Sequence, residues 1–281
     1  MPVSDTELST LASNFDIITL GVKADEVRRS RHGLRTTFVR VADVSCEPGA
    51  AIDIPAGAGE VRIAGTPLSR AAAIQRVGEV APAARQAPLS GFSLAELEHL
   101  AAKEQITLRA LLEDLRAAGL ELIAEAPFDQ LHDARRAIEE VNISGLALGR
   151  LTIDRLPTAD VPALFKEVAA LQQSVAVIRA FAPLPRKVNP AVPTTGYDDV
   201  KRVALARIVV DNVASIQVDW ALYGPKLAQV ALTVGANDID AVSAFDDLSE
   251  GRRRAPLEEV QRNIRAAGLE PSERDGRFDS R

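Results

Sequence analysis

The feature that most constrains the fold of this chain is an alternation of short β-rich runs with longer amphipathic helical runs. This alternation is typical of parallel sheets and β/α barrels, in which helices connect successive strands. A helix is predicted over residues 16–31, and capping boxes are predicted at Ser93 with Glu96 and at Thr195 with Asp198. The predicted strands are residues 36–44, 60–64, 86–91, 120–124, 144–151, 175–180, 215–221 and 234–239.

Composition excludes several classes of function. The net charge is −6 and the basic residues are dispersed, so no nucleic-acid partner is expected. No apolar run approaches the roughly 18 residues of a membrane span. Met1–Thr10 is polar and acidic, unlike a signal peptide. With Cys46 as the one cysteine, the sequence predicts a cytoplasmic protein without internal disulfides.

The most specific motifs are three tracts in the C-terminal half. They read Pro-Thr-Thr-Gly-Tyr-Asp-Asp at 193–199, Gly-Pro-Lys-Leu-Ala-Gln-Val-Ala-Leu at 224–232 and Gly-Ala-Asn-Asp-Ile-Asp at 235–240. This set resembles the radical S-adenosylmethionine enzymes aminofutalosine synthase and cyclic dehypoxanthinylfutalosine synthase of menaquinone biosynthesis, and the related deazaflavin (FO) synthase subunit. The resemblance implies a TIM-like (β/α) barrel, with residues 20–29 as the helix before the first strand and 36–39 within that strand.

The resemblance fails where the family's metal cluster belongs. In active members a CxxxCxxC loop follows the first strand, and its three thiolates hold a [4Fe–4S] cluster that chelates S-adenosylmethionine. Residues 40–49 follow the strand here, and they contain only Cys46. We therefore expect a degenerate member that lacks the iron–sulfur cluster, binds no metal and no S-adenosylmethionine, and has a barrel that is incomplete or distorted at its N-terminal units. No other histidine or cysteine lies near Cys46 in sequence, so we interpret it as an inert thiol.

Other family features are altered together with the cluster loop. The family's Gly-Gly-Leu-His-Pro run reads Ala-Gly-Thr-Pro-Leu at 64–68, without the histidine. The Tyr-Gly-His-Ile-Glu-Thr run that helps seat the adenosyl ligand reads Leu-Thr-Ile-Asp-Arg-Leu at 151–156. The tract at 92–101 keeps Glu96 and His99 of the family pattern. Losses thus fall at the cluster and cosubstrate positions, whereas the C-terminal quarter is retained.

Polar residues close the last predicted strand. Asn237 and Asp238, with Asp240 beyond them, lie at the end of residues 234–239. The carboxyl ends of barrel strands face the active-site mouth, so acceptors there are candidates to bind ribose hydroxyls or a cation. The alternative interpretation is a turn over residues 235–238 that is held by side-chain-to-backbone hydrogen bonds.

A second pair of candidates lies late in the predicted strand 215–221. Asp219 can accept a hydrogen bond from a ligand, or pair with a barrel arginine such as Arg207 or Arg179, because a buried aspartate needs a partner. Trp220 can stack on a ligand ring or contribute to the core.

Three more residues complete the candidate site. Glu96 and His99 lie at i and i+3 of one helix, where they can relay a proton or take a metal; helix capping and an apolar helix are the alternatives. Arg186, after the strand 175–180, can hold a carboxylate bidentately, or be an exposed surface arginine. The compact motifs of nucleotide-binding loops, nucleophile elbows and zinc proteases are absent from the sequence.

Three functions remain open. The first is a pseudoenzyme, either a non-catalytic partner of an intact radical paralogue or pathway enzyme, or a barrel that binds a small nucleoside-like or aromatic ligand. The second is an enzyme with non-radical chemistry on a nucleoside-like or chorismate-derived aromatic acid. The third is a structural or assembly subunit with a filled barrel. All three place residues 1–281 in one domain, with residues 270–281 as a polar, loosely held tail.

Overall fold

The computed structural model describes residues 10–11, 13, 16–157, 161–191, 193–246 and 255–281, so the prediction for Met1–Thr10 lies almost wholly outside it. The helices that position the site are α1 Ile17–His32, α2 Arg70–Ala84, α3 Leu94–Lys103, α4 Leu108–Ala117, α5 Ala134–Ile143, α6 Val161–Val175, α7 Gly196–Val209, α8 Trp220–Thr233 and α9 Pro256–Ala266. The strands are β1 Arg35–Ser45, β2 Glu60–Ala64, β3 Leu89–Ser93, β4 Leu122–Pro127, β5 Ala147–Leu148, β6 Leu151–Ile153, β7 Ala180–Pro185, β8 Ser215–Asp219, β9 Asp238–Ser243 and β10 Glu270–Glu273. Among these helices, none is long and apolar enough to span a bilayer.

The strands form a closed parallel barrel, which confirms the predicted (β/α) fold. Hydrogen bonding runs in the order β1-β2-β3-β4-β6-β7-β8-β9, and β9 returns to β1 to close the ring. The short strand β5 adds to β4 beside β6. Because every pairing in the ring is parallel, all strand C-terminal ends meet at one mouth.

The first unit of the barrel lacks its helix, which agrees with the predicted distortion of the N-terminal units, whereas the alternative of an incomplete barrel is wrong because the ring is closed. β1 passes to β2 through a loop, residues 46–59, that contains no helix. Arg76 of α2 is fully buried and anchors this loop: its Nε donates to the Ser45 carbonyl at 2.7 Å and its Nη1 to the Ala50 carbonyl at 3.0 Å. Glu79 accepts from the Gly49 amide at 2.9 Å. The loop is therefore fixed against α2.

Helix ends follow the sequence signals in part. The capping box at Thr195 with Asp198 is confirmed at the start of α7. The box predicted at Ser93 is wrong, because Ser93 makes no side-chain capping bond and Glu96 instead accepts from the Thr66 hydroxyl at 2.5 Å. Helix α3 still packs by its apolar stripe, since Leu94, Leu97, Leu100 and Ala101 are buried at helical spacing.

The prediction of a loosely held tail at residues 270–281 was wrong. Residues 270–273 form β10, which pairs in parallel with Arg35–Phe38 of β1. Arg274 follows it and is only 2% exposed, with its guanidinium on the Asp238 carboxylate at 2.7 Å through both Nε and Nη2. The polar side chains of this segment form ion pairs, such as Arg274 with Asp238, and its backbone adds a strand to the sheet. A polar composition is therefore compatible with an ordered segment.

The last barrel strand was predicted at residues 234–239, but it begins only at Asp238, close to the predicted end. Helix α8 continues to Thr233 and Gly235 adopts φ +117°, in the left-handed region that favours glycine. A Cβ on Gly235 would lie 2.7 Å from Cβ of Arg207, so a side chain cannot fit there. The strand then runs over Asp238–Ser243. Asn237 and Asp238 therefore lie at the N-terminal end of the barrel, opposite the mouth.

Candidate active site at the barrel mouth

A buried carboxylate, Asp240, stands at the centre of the barrel. Arg62 of β2 donates one hydrogen bond to each carboxylate oxygen of Asp240, at 2.9 Å to Oδ1 and 3.1 Å to Oδ2. Arg150 also donates to Oδ2. Burial opposes the charge on Asp240, but Arg150 and Arg62 outweigh that effect and hold its pKa far below the ordinary value. The three side chains thus form an ionised triad across the barrel.

The triad continues into a wider ion network on both sides. Glu60 accepts from Nε of Arg62 at 2.8 Å and from the Ser90 hydroxyl at 2.5 Å. On the other side Glu125 of β4 lies 3.4 Å from Nη2 of Arg150 and 3.3 Å from Nε of Arg186. Arg186 also pairs with Asp219 at 2.5 Å. We call Glu60, Arg62, Glu125, Arg150, Arg186, Asp219 and Asp240 the ion network.

Above the ion network lies a cavity of about 640 Å³, which we call the mouth cavity. Arg62, Arg150 and Arg186 form its floor, and Ile63, Phe92 and Pro127 contribute apolar wall. This volume and this mixture of apolar walls with a few fixed polar groups are typical of small-molecule sites. The mouth cavity also contains a strained residue, because Phe92 is buried with φ +61°, a backbone conformation that bulky residues rarely adopt and that often marks functional sites.

Three of the predicted site residues line the mouth cavity. Glu96 and His99 contribute one wall from α3, and Arg186 contributes to the floor from the loop after β7. Asp219 lies at the end of β8, as predicted, and it both pairs with Arg186 and caps α8 by accepting from the Leu222 amide at 2.9 Å. Asp219 thus pairs with a barrel arginine, as one of the two interpretations predicted, but the partner is Arg186 and not Arg207 or Arg179. Trp220 begins α8 and packs within the hydrophobic core.

Asn237 and Asp238 do not reach the mouth, contrary to the sequence-based prediction. The Asn237 side-chain oxygen accepts from Arg207 and from the Ile216 amide, the latter at 3.0 Å. Asp238 has no exposed surface; besides Arg274 it accepts from Gln217 at 2.7 Å and from Thr37 at 2.5 Å. Both side chains are engaged in closing the opposite end of the barrel, because their strand starts at that end.

Sequence reasoning missed the residues that dominate the mouth. Arg62, Glu125 and Arg150 lie within apolar strands or at their ends. An arginine in a strand that is buried on both faces needs a charged partner, and this was the signal in the sequence that could have identified Arg62. Asp43, opposite Arg62 in the β1–β2 register, was also missed. Its side chain reaches solvent at the mouth, yet the surrounding strands withhold enough water to raise its pKa, and Arg62 offsets this only partly.

The donors present do not fit a [4Fe–4S] cluster. Such a cluster needs three thiolates, and the whole sequence contains one cysteine. Cys46 donates to the Thr66 carbonyl at 3.5 Å, and burial raises the pKa of its thiol, so the thiolate is disfavoured. Within the described ranges, no three His, Cys, Asp or Glu side chains lie close enough together to hold a metal ion.

The closed ring of parallel strands and the polar mouth cavity define a β/α-barrel protein. Solved structures support this fold: methylornithine synthase superposes with a TM-score of 0.68 at 14% identity, covering 97% of this chain and 95% of that one. The [FeFe]-hydrogenase maturase HydG from Carboxydothermus hydrogenoformans superposes with a TM-score of 0.64 at 12% identity, covering 96% of this chain and 76% of that one.

Sequence comparison finds similar proteins. Residues 182–281 match the family model of the CofH/MqnC C-terminal region. The chain is 28% identical over 217 residues to a 5-amino-6-(D-ribitylamino)uracil–L-tyrosine 4-hydroxyphenyl transferase of Archaeoglobus fulgidus, covering 66% of this chain and 63% of that protein. It is 26% identical over 224 residues to the aminodeoxyfutalosine synthase of Thermus thermophilus, covering 68% and 59%. These similarities agree with the resemblance that the sequence motifs indicated.

The match to these relatives is partial in length. The chain spans 63% of the Archaeoglobus protein, 59% of the Thermus protein and 54% of the cyclic dehypoxanthine futalosine synthase of Streptomyces coelicolor, to which it is 23% identical over 67% of its own length. What the comparisons support directly is therefore the barrel and a partial sequence similarity to these proteins. The activity belongs to the proposals that follow.

Proposed function

We propose that this protein is a cluster-free homologue of the futalosine-pathway radical S-adenosylmethionine enzymes that binds a small molecule in the mouth cavity without radical chemistry. One observation carries the proposal: the loop after β1, where the family holds its cluster, contains a single thiol and is fixed to α2 by Arg76 and Glu79. A protein with one thiolate at this position has no means of retaining a cubane that needs three.

The mouth cavity supports a binding role. Its volume of about 640 Å³ falls within the range of small-molecule sites, which is roughly 300–1,000 Å³. The arginines of its floor are fixed by carboxylates from several strands, so they are ordered before any ligand arrives. Preorganised polar groups lower the entropic cost of binding. We therefore expect a thermal-shift screen of metabolites to yield compounds that raise the Tm of the protein, since binding to the folded state stabilises it.

The cluster-free part of the proposal is tested by the cleavage of S-adenosylmethionine. The protein is reconstituted with iron and sulfide without oxygen, then reduced in the presence of S-adenosylmethionine, and 5′-deoxyadenosine is quantified. The Thermus thermophilus aminodeoxyfutalosine synthase, treated identically, serves as the positive control for the reconstitution. We expect no 5′-deoxyadenosine above the protein-free background. Turnover comparable with that of the Thermus enzyme would contradict the proposal.

A partner role for the same barrel is compatible with this proposal. We propose that it works in the cytoplasm, alone or beside an intact radical paralogue, which would supply the cluster that this chain lacks. Co-purification of a tagged chain from its own organism, with and without crosslinking, tests this extension. Repeated recovery of a paralogue that contains CxxxCxxC supports a partner subunit, and recovery of the chain alone supports a free-standing binding protein.

A second candidate function, a structural or assembly subunit, is favoured by the filled middle of the barrel. The Asp240 triad occupies the space between the mouth cavity and the closed end with three large or charged side chains that are at most 7% exposed. If no compound of the thermal-shift screen raises the Tm, this second function is the better account of the fold.

A further inference from the structure

His32, the last residue of α1, bonds to the turn that leads into β8. Its Nε2 lies 3.0 Å from the carbonyl oxygen of Ala214. A carbonyl oxygen can only accept, so this bond assigns the proton to Nε2, and Nδ1 is the nitrogen that takes up a second proton. The ring is half-buried in this contact. His32 thus joins α1, as a neutral imidazole, to the N-terminal end of the barrel.

The same carbonyl also accepts from a buried arginine. Arg207 of α7 has no exposed surface, and its Nη1 donates to the Ala214 oxygen at 3.3 Å. Its Nε donates to the Gly235 carbonyl at 2.8 Å, and its Nη2 donates to the side chain of Asn237. These three acceptors, from the turn before β8 and from the exit of α8, are all neutral. The buried charge of Arg207 is therefore met by dipoles and not by a carboxylate.

Three arginines place positive charge around His32. Burial of its guanidinium, with the charges of Arg31 and Arg28, lowers the pKa of Arg207 to about 9, so Arg207 is still a cation at pH 7. Burial of the ring lowers the pKa of His32, and the charges of Arg207, Arg31 and Arg28 lower it further. The hydrogen bond to Ala214 favours the imidazolium, but these effects outweigh it. The docked position of His32 thus favours the neutral ring.

The carboxylates of this region already pair with arginines. Asp25 of α1 accepts from Arg28 at 2.8 Å and from Arg29 at 2.5 Å. Asp211, in the turn between α7 and β8, lies 3.8 Å from Arg31. A helix C-terminus ordinarily favours a protonated histidine, but the last turn of α1 already contains Arg29 and Arg31. An imidazolium at the end of α1 would have to compete with these arginines for both carboxylates.

We propose that His32 is a pH-sensitive latch: the neutral ring holds the C-terminal end of α1 against the turn at Ala214, and protonation of the ring releases this end of the helix. The unfolded chain protonates His32 at about pH 6.5. The stabilising contribution of the latch is therefore fully present above that pH and is lost as the pH falls below it. The latch lies opposite the mouth cavity, so it is independent of the proposed function.

The first test is amide hydrogen exchange of the full chain at pH 7.5 and 5.5, with rates corrected for the intrinsic effect of pH. We expect the amides of residues 29–34 and 213–215 to lose about threefold in protection at pH 5.5, relative to the amides of α4. A single titration one unit below pH 6.5 cannot change protection by more than about tenfold, and solvent at the half-buried ring reduces the effect.

Two variants distinguish the latch from a general effect of acid. His32→Gln keeps an N–H group that can donate to the Ala214 carbonyl but does not titrate, so it should show no such loss of protection. His132→Gln replaces an exposed histidine at the start of α5, on another face of the barrel, and should lose protection as the unmodified chain does. Equal losses in the unmodified chain and in His32→Gln overturn the latch, because another group then causes the opening.

The second test follows the imidazole nitrogens of His32 by NMR and does not require a variant to fold. The latch predicts the Nε2–H tautomer at pH 7.5 and a titration midpoint below that of the same residue in the urea-unfolded chain. Arg31→Gln, which removes a cation that is 36% exposed, should raise this midpoint. The Nδ1–H tautomer, a midpoint at or above the unfolded one, or no rise in Arg31→Gln each overturns the proposal.

Discussion

At the scale of single residues, the middle of the barrel depends on Asp240, on which Arg62 and Arg150 converge. The two guanidiniums are at most 7% exposed, so water cannot replace a lost counter-charge. A buried ion pair contributes little net stability over an apolar replacement, but removing one partner leaves a charge buried and uncompensated. Asp240 is therefore more costly to neutralise than any carboxylate on the surface.

We predict that Asp240→Asn destabilises the fold by about 3–5 kcal/mol, because two arginines then lack their shared carboxylate. For a domain of this size that corresponds to a fall in Tm of at least about 6 °C. Asp154→Asn, which removes the partner of the exposed Lys187, is the matched control and should cost at most about 1 kcal/mol. Chemical denaturation of both variants at pH 7 measures the difference. Equal losses in the two variants would refute the central position of Asp240.

The pH dependence of this contribution has a defined sign. Asp240 has a pKa far below its value in the unfolded chain, which is about 3.9. Its stabilising contribution is therefore fully present above about pH 5 and is lost as the pH falls through the unfolded and then the folded value. Acid titration of the unfolding free energy should show this loss in the unmodified protein and a shallower loss in Asp240→Asn.

Asp43 behaves in the opposite way, because burial raises its pKa in the folded protein. Ionisation of Asp43 then costs the folded state stability at every pH above the unfolded pKa of about 3.9. We predict that Asp43→Asn raises the Tm at pH 7, by no more than about 2 °C because the side chain reaches solvent and is screened. The gain should vanish at pH 3, where both states carry a protonated aspartate. A loss of stability at pH 7 would contradict this assignment.

At the scale of secondary-structure elements, β10 and the residues after it close the N-terminal end of the barrel. The Arg274 guanidinium reaches the buried Asp238 by two bonds of 2.7 Å and also lies 3.8 Å from the centre of the Phe278 ring. The Gly276 amide donates to the Gly59 carbonyl at 3.1 Å, which ties this segment to the loop before β2. The C-terminal segment is thus part of the barrel, despite its polar composition.

We predict that Arg274→Met costs about 3–5 kcal/mol, because Asp238 remains buried without its counter-charge. Arg277→Met, three residues further along, removes an exposed pair with Glu121 and should cost at most about 1 kcal/mol. Both variants replace an arginine of the same segment by methionine, so the two losses of unfolding free energy differ mainly through the burial of the ion pair that is removed. Denaturation with guanidinium chloride measures both losses. A loss of at most about 1 kcal/mol in Arg274→Met as well would show that the segment contributes little to closing the barrel.

The sequence predicted elements better than it predicted their contacts. Runs such as Thr36–Val44 carry enough local β preference to mark a strand, and β1 spans Arg35–Ser45. The last barrel strand was displaced because Val234 and Ala236 look like strand residues, whereas the left-handed Gly235 makes them the exit from α8. Side-chain pairings such as Arg62 with Asp240 join residues 178 positions apart, and no local pattern encodes them.

For the candidate site, too, the positions of residues along the chain were easier to predict than their contacts. Glu96, His99 and Arg186 line the mouth cavity. Their location was predictable because they follow strands β3 and β7, which the alternation of strands and helices indicated. Asn237 and Asp238 were misplaced by the shift of one strand boundary, which moved them from one end of the barrel to the other. Arg150 and Glu125 were missed because their function depends on neighbours from other strands.

At the scale of the whole molecule, a complete ring of strands is combined with a first loop that contains no helix. The ring of strands is closed from β1 to β9, and the mouth cavity is intact, so the fold has the space to hold a ligand. The loop after β1, residues 46–59, contains no helix and is anchored through Arg76. These features are the basis for the proposal that the barrel keeps its framework without a means of generating a radical.

The most direct test of this claim is the iron and acid-labile sulfide content of the full chain after anaerobic reconstitution and desalting, with the Thermus thermophilus aminodeoxyfutalosine synthase prepared in parallel. We predict less than about 0.3 iron per chain, with no change when Cys46 is replaced by serine, because one thiolate cannot hold a cubane. About four irons and four sulfides per chain, with the broad visible absorbance of a [4Fe–4S] cluster, would contradict the account.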